Sequence, residues 1–395
     1  MFLTNLVEQN AAFARTVIDL HQAGDLPPDT YVIDLDTLAE NARLICDEAH
    51  RLGLQVVAMS KHIGRNPDAL RALRSNGVDS FVAVDLACAR AIDRASQPLG
   101  HVGHLTQIPR AAAAEIAGMA PEHWSVFSPE KAREAAAAAR RVGRVQGLLA
   151  RIFSDGDTVL PSRAGGFDAA HVLSVADDLD AAAGGRFSGI TTYPALSFDR
   201  QRHQVVATAN LRTLERAAAL LASHGRTDVA VNAPGETSTT VLRMLAGAGA
   251  THVEPGHGFT GTGALHGVAA LPERPAMLYL SEVSHLAGDT AYCFGGGLYL
   301  CSGSIDYQPT AIVGRDLEHA LTQRVPAELS RKHQLMDFYG LLHPRPGDTL
   351  HTGDSVIFSF RAQAFYTRSM VVGISGISTR APRLHALHTT DGRVA

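Results

Sequence analysis

Gln55-Val56-Val57-Ala58-Met59-Ser60-Lys61-His62-Ile63-Gly64-Arg65-Asn66-Pro67 runs from an apolar segment into one lysine, then into a Gly/Asn/Pro turn that opens a helix. Lys61 is the only lysine before Lys131, in a chain whose positive charge is mostly arginine. A compact amine at a strand end, among apolar neighbours, is where desolvation lowers a lysine pKa and suits it to Schiff-base formation. The plainer reading is a surface lysine that begins a loop.

The segments around it favour the first reading. Upstream, Pro27-Pro28 precedes a strand over 30–35, and Asp36 can cap a helix over 37–52. Strands are then expected over 55–60, 78–84, 101–106, 124–127, 146–153, 187–193, 228–232 and 250–254. Helical segments lie between them at 67–76, 86–95, 110–119, 129–142, 168–183, 201–224 and 238–248, several rich in Ala and Arg. Such alternation over about two hundred residues predicts an α/β fold, a parallel sheet closed as a (β/α)8 TIM-type barrel rather than an open doubly wound sheet. Lys61 then ends the first barrel strand, on the face where barrel active sites sit. Beyond about residue 272 the texture changes to strand-like segments at 277–283, 289–294, 311–313, 355–360 and 367–377, a C-terminal β domain. The domains expected are an N-terminal helix over 1–27, the barrel over 28–270 and the β domain over 271–395, to which the strand over 30–35 can also belong.

Composition narrows the class of function. A chain of 395 residues with 46% hydrophobic residues and a net charge of −4 reads as soluble and globular, without a polyanion-binding signature. No apolar run is long enough to span a bilayer. Residues 1–23 read as an amphipathic helix rather than a signal peptide, which predicts a cytoplasmic protein. Cys46, Cys88, Cys293 and Cys301 lack CxxC spacing and read as free thiols. Among 19 histidines, His101 and His104 come nearest to a ligand pair, but on a strand their spacing puts them on opposite faces, so no metal is expected.

Two later stretches carry chemistry. Asn232-Ala233-Pro234-Gly235-Glu236-Thr237-Ser238-Thr239-Thr240 leads into a helix, and its glycine and hydroxyls make an anion cradle; the alternative is a plain cap. The eighth strand ends in Val253-Glu254-Pro255-Gly256-His257-Gly258-Phe259-Thr260-Gly261. The last two strands of a barrel are the usual place for a phosphate. A lysine on the first strand and an anion cradle on the last two are two anchor points for an aldehyde cofactor that carries a phosphate.

On these residues the chain resembles the fold-type III pyridoxal-phosphate enzymes: alanine racemase, the ornithine and diaminopimelate decarboxylases, and D-threonine aldolase. Within them it is most similar to the YhfX-like group, through Ser60-Lys61-His62-Ile63-Gly64-Arg65-Asn66-Pro67. The resemblance covers roughly residues 28 to 375 by architecture. It implies pyridoxal 5'-phosphate as cofactor, with Lys61 as the Schiff-base lysine and Gly235, Thr237 and Ser238 at the phosphate. Glu254-Pro255-Gly256-His257 is similar to the Glu-Pro-Gly-Arg of the decarboxylases, which puts Glu254 at the pyridine nitrogen and Gly256 and His257 at the phosphate. Racemases of this fold have arginine where Glu254 stands. A carboxylate there favours the protonated ring, a stronger electron sink than the neutral one.

The resemblance also implies subsidiary roles. Arg163, in Arg163-Ala164-Gly165-Gly166, would steer the cofactor or a substrate carboxylate, and Tyr193 would lie near the cofactor ring. His104 and Gln107 could line the pocket. Arg361 is a candidate carboxylate clamp on a strand through Phe360-Arg361-Ala362-Gln363. Ser359-Phe360-Arg361 stands where D-threonine aldolase carries a metal pair, which lowers the rank of metal-dependent aldol cleavage. Racemisation needs a second base, for which Tyr307, Cys301, Tyr339 and His285 are candidates, Tyr307 first. The resemblance implies a head-to-tail homodimer with shared sites, a small amino-acid substrate, and neither a nucleic-acid nor a membrane partner. The function expected is that of a racemase or epimerase acting at the Cα of an amino acid, with Lys61 as aldehyde-bound lysine and base. Decarboxylation is the alternative, suggested by Glu254-Pro255-Gly256. An aldolase-like lyase, a non-catalytic cofactor-binding protein and a cofactor-free barrel enzyme rank below both.

Overall fold

The computed structural model describes residues 2–298, 309–329 and 338–395. They form two compact units: Ala42–Lys61 with Leu73–Gly256, and Met1–Asn41 with His62–Ala72 and His257–Ala395.

The first unit contains the barrel. Its eight parallel strands are Gln55–Met59, Ser80–Ala83, Leu99–Val102, His123–Val126, Gln146–Phe153, Gly185–Thr191, Ala230–Asn232 and His252–Val253. Each pairs with the next in chain order, and the eighth returns to the first through His252↔Gln55 and Val253↔Val56. The helix Pro129–Arg141 shows why the outer layer forms. Ser128 caps it by accepting from Lys131 N–H, Pro129 takes the first turn, and buried Ala132, Ala135, Ala136 and Ala139 recur at core-facing spacing. The lumen is unusual. Aliphatic side chains dominate most barrel interiors, whereas His101, His123, Ser125, Ser188, Asn232, His252 and Glu254 are polar and buried here.

All eight expected barrel strands are present, with ends shifted by a few residues. The long helix expected over 201–224 begins only at Ala209, because Leu196–Asp199 and Gln204–Ala207 pair as an antiparallel hairpin first. Val205 and Val206 supply the β-branched residues that favour it.

The second unit holds a mixed sheet. Thr30–Asp34 lies in it, parallel to Met370–Ser375 and antiparallel to Met277–Ala287. Its core includes Leu6, Phe13, Val17, Ile18, Val32, Leu278, Ile357 and Val372. The N-terminal stretch is two helices, Phe2–Gln9 and Ala11–Gln22. They break at Asn10, whose side-chain amide donates to Asp34 Oδ2 (2.9 Å), Thr37 Oγ1 (3.2 Å) and Pro275 O (3.0 Å). Strands Arg324–Leu329 and Tyr339–Leu342 and the helix Leu317–Thr322 were not evident from sequence. The strand Ser355–Phe358 ends before Arg361, which stands in the following loop rather than on a strand face. Among the described residues no helix is long and apolar enough to cross a membrane.

Candidate active site

Lys61 leaves the first barrel strand in the short 3-10 turn Ser60–Ile63 and is buried at 9% exposure. Ser60 anchors the turn by donating to Val82 O of the neighbouring strand (2.9 Å). Across the ring, Glu254 follows the eighth strand and is likewise buried. Its Oε1 accepts from His101 Nδ1 at 2.5 Å and from Asn232 Nδ2 at 2.8 Å. Ser125 Oγ stands 2.7 Å from His101 Nε2, so a hydroxyl donating there fixes the Nδ1–H tautomer that serves Glu254. Oε2 lies 3.3 Å from His104 Nε2 without hydrogen-bond alignment, and neither buried atom has a hydrogen-bond partner among the described residues.

His104 reaches Glu254 because Gly103, at φ +76°, turns the chain just past the third strand. A side chain at Gly103 would stand 2.7 Å from Ser125 O, so glycine alone fits. The expectation that His101 and His104 diverge assumed an unbroken strand, and this turn overturns it.

Burial raises the Glu254 carboxyl, but the flanking His104 and His101 and the hydrogen bonds from His101 and Asn232 outweigh it and bring the carboxyl down to about 2. Burial, reinforced by His101, Lys61 and Arg151, pushes His104 down to about 3 against the pull of Glu254. Near neutral pH the floor of the site is therefore an ionised carboxylate. A cation shared by His101, His104 and Glu254 would have to displace the 2.5 Å bond between two of them.

The rim is cationic and aromatic. Tyr193 meets His104 edge to face at 5.5 Å, and the Arg163 guanidinium lies 5.0 Å from the Tyr193 ring centroid. Arg151, inside the fifth strand, stacks over Phe127 at 4.7 Å and donates through Nη2 to Arg163 O at 2.7 Å. Its Nη1 is buried without a hydrogen-bond partner. Burial and the neighbouring Arg163 lower Arg151 to about 10, which leaves it charged. Sequence reasoning passed over Arg151, although an arginine inside an apolar strand was the available signal. Asn232 was read only as part of the cradle and His101 only as a metal candidate. Gln107 staples the loop after the third strand, donating to Gly103 O and Ser125 O at 3.0 Å.

The cradle after the seventh strand packs closely on residues 194–196. Ala195 N–H donates to Pro234 O at 2.8 Å, and a side chain at Gly235 would come within 2.7 Å of Leu196 N. Thr237 and Ser238 are buried, and Ser238 Oγ lies 2.9 Å from Thr240 Oγ1. In the other unit, His257 Nε2 donates to Ala362 O at 2.8 Å and its ring stacks on His62 at 3.6 Å. His285 stacks on Tyr292 at 4.6 Å and meets Tyr339 edge-on. Tyr307 and Cys301 lie outside the described residues.

A lysine closing the first strand of a TIM-type barrel, a buried carboxylate after the eighth and a separate β unit define the alanine racemase type of pyridoxal-phosphate protein. The family model described as "Alanine racemase, N-terminal domain" matches residues 33–263, more than half of the chain, and "YhfX-like, C-terminal domain" matches 278–384. The chain is 36% identical over 384 residues to "Uncharacterized protein YhfX" of Escherichia coli (strain K12), covering 97% of each. It therefore belongs to the YhfX-like branch of the alanine racemase family, whose cofactor is pyridoxal phosphate. Its fold is similar to that of D-threonine aldolase from Filomicrobium marinum (16% identity, 93% of this chain and 95% of the other, TM-score 0.69). It is also similar to diaminopimelate decarboxylase from M. jannaschii (12% identity, 94% and 92% covered, TM-score 0.63).

The residues fit that cofactor. Glu254 Oε2 is a buried acceptor in need of a donor, and Arg151 Nη1 is a buried donor in need of an acceptor.

Proposed function

We propose that this chain is a racemase or epimerase that acts at the Cα of an amino acid. The observation that supports chemistry through a Cα carbanion, common to racemisation and decarboxylation, is the ionised Glu254, held from behind by His101 and Asn232. When bound, pyridoxal phosphate supplies an aldehyde for the substrate amine and a ring that accepts the electron pair released at Cα. Lys61 would hold the aldehyde carbon, Glu254 the ring nitrogen, and Gly235, Thr237, Ser238, Gly256 and His257 the phosphate. Tyr193 would bound the ring face. Arg163, with Arg151 behind it, would orient the substrate carboxylate, and Arg361 is a further clamp for it.

Lys61 Nζ would take the Cα proton on one face. Burial of Lys61, His104 and Glu254 excludes water from that proton. Tyr307 remains the proposed base for the opposite face. Decarboxylation is the second reading, carried by Glu254-Pro255-Gly256. A cytoplasmic, head-to-tail homodimer is part of the same proposal, supported by the resemblance alone.

The test compares wild type with Lys61→Ala by visible absorbance with and without borohydride, followed by an amino-acid panel. Bleaching with cofactor trapped on Lys61 in wild type only, then loss of chirality with the carboxylate retained, is expected. Release of carbon dioxide selects the decarboxylase. A protein that takes up no pyridoxal phosphate refutes the assignment.

A further inference from the structure

A second polar cluster lies at the N-terminal ends of the barrel strands, the end away from Lys61 and Glu254. His123 opens the fourth strand and His252 the eighth. Four steps around a ring of eight put these strands across the lumen from each other, and the two rings meet edge to face with centroids 5.3 Å apart. His123 Nδ1 lies 3.0 Å from Ser188 Oγ, and His252 Nδ1 lies 2.7 Å from Thr251 Oγ1. Both Nε2 atoms are buried and, among the described residues, have no hydrogen-bond partner. Glu122, one residue before the fourth strand and solvent-exposed, brings Oε1 to 3.7 Å from His123 Nε2. One donor atom from each of the three residues lies within 4.8 Å of the others.

Buried imidazole nitrogens without a hydrogen-bond partner are costly unless a water or an ion satisfies them. In the tautomer whose Nδ1–H donates to Ser188 or Thr251, Nε2 carries the lone pair, as in metal-ligating histidines. Thr251 is itself fixed, accepting from Val231 N–H at 2.8 Å. Asp79 adds negative charge to this end, while Arg186 opposes it.

We propose that Glu122, His123 and His252 form a site for a divalent first-row cation, zinc foremost, which ties the fourth and eighth strands together across the lumen. Two imidazoles and a carboxylate are a borderline donor set that suits zinc better than magnesium or calcium. Tetrahedral zinc at about 2.0–2.2 Å needs donors roughly 3.5 Å apart, so the side chains must close by about 1 Å, a movement the exposed Glu122 can supply. Water completes the coordination. The cation sits at the end opposite the catalytic one and acts on the barrel's stability, independently of the reaction.

The test uses the pyridoxal-phosphate-loaded protein, stripped with chelator, dialysed and titrated with zinc by calorimetry, beside Glu122→Gln and His252→Asn. Cofactor absorbance and circular dichroism report folding of all three. One equivalent of zinc that survives gel filtration of wild type, raises its thermal midpoint and binds each variant on the order of 10–100-fold more weakly is expected. Absence of binding by wild type at a hundred micromolar zinc overturns the proposal. So does equal affinity in a folded Glu122→Gln protein, since the ion would then sit elsewhere.

Discussion

Glu254→Gln removes one buried charge and keeps the shape of the side chain. The amide oxygen can still accept from His101 Nδ1 and Asn232 Nδ2, so the floor of the site should stay in place. What disappears is the negative charge proposed to face the ring nitrogen. With the carboxyl held at about 2, that charge is present at any working pH. Opposite charges about 4 Å apart at an effective dielectric near 20 attract by about 4 kcal/mol. The amide dipole retains part of this, and a loss of about 3 kcal/mol in the transition state corresponds to roughly a hundredfold in rate. The assay is exchange of the Cα proton with deuterium, followed by NMR on whichever amino acid the panel selects, at matched cofactor occupancy. An expected fall of 10²–10³-fold in kcat, with KM moved less than about fivefold, fits a charge that matters mainly in the transition state. A folded, cofactor-saturated Glu254→Gln enzyme within about threefold of wild type would refute the role given to this carboxylate.

Arg151→Met removes a buried cation that forms no ion pair with a carboxylate among the described residues. The cofactor-free protein should keep its stability within about 1 kcal/mol by thermal melting, while KM rises at least about tenfold; a large stability loss with unchanged KM would make Arg151 structural. Acid should weaken the fold through histidines that stay neutral inside it. Burial pushes His104 and His123 down to about 3 and His252 to about 4, so the unfolded chain binds protons that the folded one refuses. Stability is then full above about pH 7, falls as pH drops below about 6.5, and levels off on this account below about 3–4, at up to about 1.4 kcal/mol per pH unit for each histidine. Denaturant midpoints that do not change between pH 7 and pH 5 would contradict this.

The barrel was legible because its signal is local. Each strand is a short apolar run and each helix an Ala-rich face, so the alternation of periods identifies all eight units. The mixed sheet was less legible because its order, with Thr30–Asp34 between Met277–Ala287 and Met370–Ser375, depends on pairings more than two hundred residues apart. Lys61 and Glu254 could be read at strand ends, where a barrel places its chemistry. His104 could not, because its position depends on one glycine conformation at Gly103. Arg151 was missed because attention to strand ends passes over a charged residue within a strand.

The lumen joins these observations. Residues at every second position of the fourth and eighth strands, His123 and Ser125, then His252 and Glu254, point inward, and all four are polar. A barrel lined this way gives up the aliphatic layers that usually fill it and must hold its strands together by satisfying polar groups instead. At the catalytic end the chain does this with His101 between Ser125 and Glu254. At the other end Ser188 and Thr251 meet one nitrogen of each ring, and among the described residues the remaining two have no hydrogen-bond partner. One alternation therefore yields both a carboxylate tuned for a ring nitrogen and, at the opposite end, a pair of lone pairs suited to a cation.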